Sequence, residues 1–144
     1  IDALILAKGI TDTNTPILAQ AICSGFLDRG LLPAHLESMV PLYLERLDAM
    51  LGGIKKYFPE EIKYTVPEGG LFVWVDLPDT VNTKTLLKKA AEEYKVSYVP
   101  GSAFCVDDGD GIHSIRLNFS ANNAEKIDDG LKRLGELLTK ELNG

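Results

Sequence analysis

Residues 114–120, Ser-Ile-Arg-Leu-Asn-Phe-Ser, alternate apolar and polar side chains, the period of a half-buried β-strand. Ile115, Leu117 and Phe119 take one face; Arg116, Asn118 and Ser120 take the other. The segment therefore demands a sheet with one apolar face, and it places a guanidinium on the polar face beside an amide and a hydroxyl. A guanidinium is planar, always charged, and meets a carboxylate through two parallel hydrogen bonds. Arg116 is the candidate binding residue for an acidic small molecule. The competing reading is an exposed arginine on a solvated sheet face.

The rest of the chain supplies partners for that strand. Thr15-Pro16 predicts a helix start, Thr as cap and Pro at the first helical position. Leu18, Ala21, Ile22 and Phe26 form its apolar stripe, and Gly30 ends it. Pro33 opens a longer helix with Leu36, Val40, Tyr43, Leu47 and Met50 on one face. Pro41 lies inside it and should kink it. Gly52-Gly53 closes it or starts its final turn. The period then changes to two. Lys63–Val66 reads as a short strand, Pro67-Glu68-Gly69-Gly70 as a turn, and Leu71–Leu77 as a strong strand stopped by Pro78. Asn82 or Thr83 caps a helix reaching about Tyr94, with Leu86, Leu87, Ala90 and Ala91 inward. Val96–Val99 and Ile115–Phe119 are the remaining strands, separated by a loop over 100–113. Asn122 with Glu125 resembles a capping box for a last helix whose apolar face is Ile127, Leu131, Leu134 and Leu138.

This order, two helices, two strands, a helix, two strands and a helix, predicts an α+β fold: a small, mostly antiparallel sheet of three to four strands covered by helices. A length of 144 residues suits one domain and needs no covalent staple. The net charge of −6 argues against a nucleic-acid partner. The apolar runs are too short for a bilayer span, and no secretory signal pattern is present. Cys23 and Cys105 read as buried or half-buried free thiols, which favours a reducing, cytoplasmic setting. The chain opens at Ile1 inside an apolar run, as the middle of an element would, and reads as a fragment of a longer protein.

Other chemistry is sparse. Asp107, Asp108 and Asp110 fail the calcium-loop pattern, which needs a Glu at its twelfth position, and read as a solvated turn. The cysteines with His35 and His113 lack metal-ligand spacing, so no metal site is expected. Neither phosphate-cradling glycine motif occurs. Ser102 follows Gly101 without a nucleophile-elbow pattern. Lys8 reads as a snorkelling surface lysine rather than an imine-forming one. Trp74 is most simply core.

Three blocks then carry a resemblance: Pro67-Glu68-Gly69-Gly70-Leu71-Phe72-Val73-Trp74-Val75-Asp76-Leu77-Pro78; Val96–Pro100 with Gly101-Ser102-Ala103-Phe104; and Ile115–Ser120. In this order and spacing they resemble the C-terminal small domain of class I/II aminotransferases, the fold-type I pyridoxal-phosphate enzymes. Leu6-Ala7-Lys8, Thr11-Asp12, Thr15 and Gln20 resemble the segment that follows the family's cofactor lysine. His35-Leu36 and Tyr43–Arg46 resemble the long helix leading into the small domain. The likeness is nearest to the 2-aminoadipate and regulator-fused branch.

The resemblance implies that residues 1–60 form a helical segment leading from a large domain and that 61–144 form the small domain. It implies that Arg116 binds the substrate's α-carboxylate, and that the loop at Pro100–Phe104 lies near the substrate. It implies pyridoxal phosphate in the full-length parent, acting as electron sink, amino acid and 2-oxo acid substrates, and a homodimer. Lys8 matches a later lysine of the family, not the cofactor lysine. This chain alone is thus expected to hold no cofactor, to contain no catalytic or cofactor-binding residue, and to be inactive. Two other readings change the job: the aminotransferase-like sensor domain of a transcription regulator, which a winged helix ahead of the large domain would decide, and a free-standing α+β ligand-binding domain.

Overall fold

The computed structural model describes residues 1–12, 14–107 and 109–144. It divides into two compact units, Ile1–Val40 and Pro41–Gly144. The first holds α1 (Asp2–Thr11), α2 (Ile17–Asp28) and the start of α3 (Leu32–Tyr57). The opening apolar run is thus a helix of its own, one more than the pattern predicts. α2 begins one residue late. Pro16 is its cap residue, and the Thr15 hydroxyl and carbonyl accept hydrogen bonds from the Gln20 amide instead of capping the backbone. Gly30 does end α2. Its φ of +64° admits the closing pair of bonds, Gly30 N–H to the Leu27 carbonyl and Leu31 N–H to the Phe26 carbonyl. His35 meets Phe26 edge-on at 6.1 Å.

The second unit contains the rest of α3, with strands β1 (Lys63–Tyr64), β2 (Phe72–Asp76), β3 (Val99–Pro100) and β4 (Ser114–Asn118), and helices α4 (Thr83–Glu92) and α5 (Ala124–Asn143). The four strands form one sheet in the order β1-β2-β4-β3, every neighbouring pair antiparallel. This is the expected α+β class. Val73, Val75, Ile115 and Leu117 line one sheet face and join Met50 and Ile54 of α3 and Ile127, Leu131, Leu134, Leu137 and Leu138 of α5 in a single core.

Of the two readings of Gly52-Gly53 the second holds: the pair does not close α3 but precedes its final turn, which ends at Tyr57. A Cβ at Gly53 would stand 2.5 Å from Leu131 Cδ1, so that glycine permits close approach of α5 rather than a stop. Asn82 caps α4, its Oδ1 accepting from the Lys84 and Thr85 N–H groups at 3.1 and 3.2 Å. Leu86 and Ala90 are buried as expected, but Ala91 is exposed. The cap of α5 is Asn123, one residue beyond the predicted Asn122: its side chain accepts from Lys126 N–H. The largest shift concerns β3, which pairs at Val99–Pro100 rather than over Val96–Val99. Lys95 adopts φ +55° and Val96 N–H returns to the Ala90 carbonyl, so 95–96 finish the helix. Tyr98 then turns inward, and its buried hydroxyl donates to the Thr83 carbonyl at 2.9 Å. Among the described residues no helix is long and apolar enough to cross a membrane.

Candidate functional site

Arg116 sits on β4, an inner strand, opposite Trp74 of β2 on one side and Val99 of β3 on the other. The register turns Val73, Val75, Ile115 and Leu117 to the core. Phe72, Trp74 and Asp76 therefore share the opposite face with Ser114, Arg116 and Asn118. Trp74 is thus not in the core, where the sequence placed it, but half-buried on the arginine's face.

The guanidinium carbon of Arg116 lies over the Phe72 ring, 3.9 Å from its centroid, and over the Phe104 ring, 4.1 Å from its centroid. Phe72 is the diagonal neighbour on β2. Phe104 ends the 3₁₀ turn Gly101–Phe104 that follows β3. Trp74 meets the Phe104 ring edge-on at 6.1 Å and 67°. The indole N–H of Trp74 donates to Asp76 Oδ1 at 2.9 Å, and the Ser114 hydroxyl donates to the same oxygen at 2.7 Å. Arg116 itself is half-buried, and its Nε is buried with no hydrogen-bond partner among the described residues. A buried donor left unpaired costs free energy that a ligand oxygen can relieve.

The 3₁₀ turn is held close by its first residue. A Cβ on Gly101 would meet the Gly111 carbonyl oxygen at 2.7 Å, Ser114 Cβ at 2.8 Å and the tip of Trp74 at 3.0 Å. Only glycine lets the turn pack against Trp74 and carry Phe104 onto Arg116.

The amide and hydroxyl expected beside the guanidinium are engaged elsewhere. Asn118 Oδ1 accepts from the Ser120 N–H at 2.7 Å and from its hydroxyl at 2.8 Å. The Ser120 carbonyl in turn accepts from Arg46 of α3. Sequence reasoning found Arg116 and the nearby turn but missed Phe72 and Phe104. The available signal was parity: Asp76 shares its strand face with Phe72 and Trp74, which marks that face as the polar one.

The remaining candidates are dispersed. Asp107 and Asp110 are exposed in a turn closed by Asp110 N–H to the Asp107 carbonyl; Asp108 lies outside the described residues. Among the described residues no three His, Cys, Asp or Glu side chains gather as a metal site would require. His113 Nδ1 pairs with the Val81 carbonyl, and His35 packs on Phe26. Cys105 is half-buried, while Cys23 is exposed rather than buried. Lys8 is exposed on α1 and ion-paired with Asp12.

The chain and its fold match a known family. The family model for aminotransferase class I and II matches residues 3–134. The aromatic-amino-acid aminotransferase 1 of Thermococcus litoralis is 39% identical over 142 residues, covering 99% of this chain and 34% of that protein. The 2-aminoadipate transaminase of Thermus thermophilus is 36% identical over 138 residues, covering 96% of this chain and 34% of that one. The crystal structure of a Pyrococcus horikoshii kynurenine aminotransferase superposes with a TM-score of 0.87 at 39% identity, covering 96% of this chain and 34% of that one. The chain thus spans about a third of the length of the relatives it matches. With its sheet, its helices and its matched blocks in order, the chain belongs to the class I and II aminotransferase family.

Proposed function

We propose that the protein to which this chain contributes is a pyridoxal-phosphate-dependent aminotransferase, moving an amino group between an amino acid and a 2-oxo acid. In it, Arg116 holds the substrate's α-carboxylate. The observation that carries this reading is the guanidinium itself: fixed on an inner strand, half-buried, with its Nε unpaired among the described residues. Such a group binds a carboxylate through two parallel N–H bonds and so orients the substrate's Cα. Residues 1–60 lead in from a large domain and 61–144 form the small domain. The whole protein is a cytoplasmic homodimer, and the cofactor's anchor lies outside this chain.

Arg116→Lys in the full-length protein tests the assignment. Lysine keeps the charge but not the planar fork, and a charge-assisted hydrogen bond is worth about 1.5–3 kcal/mol, so kcat/KM should fall about 10- to 200-fold. Most of the loss should appear in KM, because the carboxylate is held in ground and transition states alike. Unchanged kinetics would remove Arg116 from the site. A large fall in thermal stability with proportionate loss of activity would make it a structural residue.

A further inference from the structure

Two aromatic rings meet Arg116 in a way that substrate binding alone does not require. Their centroids lie 3.9 and 4.1 Å from its guanidinium carbon. At that separation a phenyl ring touches through its face, because an edge-on ring's own hydrogens would hold the carbon farther away. Two rings this near cannot occupy the same space, so they approach the guanidinium from different directions. Nε is buried, so any N–H of this half-buried side chain that is open to a ligand belongs to its two terminal nitrogens. Both rings are substantially exposed, Phe72 by 38% and Phe104 by 46%, so core burial does not account for their position. Phe104 is braced by the edge of Trp74, which is tied to Asp76, and its turn is seated by Gly101.

We propose that Phe72 and Phe104 are positioning residues that clamp the Arg116 guanidinium with their faces. The clamp fixes its plane and leaves its terminal N–H groups for a ligand. A carboxylate entering in that plane meets two parallel N–H donors. This inference rests on the reading of Arg116 as the carboxylate-binding residue.

The test uses the full-length enzyme with Phe72→Leu, Phe104→Leu and Phe104→Tyr, each alone and combined with Arg116→Gln, beside Arg116→Lys. Each Leu variant should raise KM about 2- to 30-fold with a smaller change in kcat, the range expected for loss of a cation–π contact. Phe104→Tyr, which keeps the ring face, should stay within about twofold of wild type. In the Arg116→Gln background the Leu penalties should vanish, since no cation remains to be held. If a Leu variant fails to fold, Met, which is flexible and has no π face, is read instead. Leu variants with wild-type KM, beside an impaired Arg116→Lys, would overturn the clamp and leave the carboxylate reading standing. An Arg116→Lys enzyme with unchanged kinetics would overturn both. Leu penalties that persist with Arg116→Gln, or that track a fall in melting temperature, would assign the rings a structural role and refute the proposal.

Discussion

At the scale of single residues, Tyr98 is the group most altered by its surroundings. Burial pushes its hydroxyl well above the ordinary tyrosine range, with the charge of Glu141 adding to the effect. In the unfolded chain a tyrosine ionises near pH 10. The folded state therefore keeps a proton that the unfolded state gives up, and stability falls as pH rises above about 10. Below that value the contribution is fully present. Lys89, Lys56 and Lys140, raised by their bonds to Glu141, Tyr57 and Tyr94, lose stabilisation over the same alkaline range, so the tyrosine must be separated from these lysines. Tyr98→Phe separates them. It should lose about 0.5–1.5 kcal/mol near neutrality, the worth of the hydroxyl's bond to Thr83, and flatten the alkaline decline. Urea unfolding of wild type and variant at neutral and alkaline pH reads both effects; an unchanged alkaline slope would reassign the decline to the lysines.

At the scale of elements, α5 carries two interior glycines with opposite roles. Nothing lies within 4 Å of a Cβ built on Gly130, whereas one built on Gly135 runs into the Tyr57 carbonyl at the end of α3. Replacing a helical glycine by alanine gains up to about 1 kcal/mol. Gly130→Ala should show that gain. At Gly135 the obstacle is backbone and cannot swing aside, so overpacking of about 1–3 kcal/mol should outweigh it. Denaturant midpoints of the two variants should therefore move in opposite directions. The same contrast explains how much could be seen in advance. The strands at 72–76 and 114–118 and the buried stripe of α5 were legible because a local period carries them. Arg116 was legible because a polar residue stood at a fixed parity among apolar ones. The start of β3 was not, because Val96–Val99 has strand-like residues while its fate is set by the left-handed turn at Lys95 and by Tyr98 reaching Thr83. The aromatic contacts of Arg116 were hidden for a related reason. Rings on a strand suggest core; the parity of Asp76 marks their face as the polar one, but it is the pairing of β2 with β4 that sets Phe72 and Trp74 beside the arginine.

At the scale of the whole molecule, the first unit is unusual in burying so little. No residue of α1 or α2 is buried, and Ile10 and Ile17 are 79% and 78% exposed. Apolar surface of this kind associates. The isolated chain should show a weight-average mass that climbs with concentration in sedimentation velocity; a strictly monomeric chain would refute this. The sheet is built otherwise. Its two outer strands, β1 and β3, are each two residues long; β1 carries Lys63, and β3 ends in Pro100, which has no N–H to offer. An incoming strand finds almost no ladder to extend. Self-assembly of this chain should therefore stay helical in character and give amorphous or oligomeric species rather than cross-β fibrils.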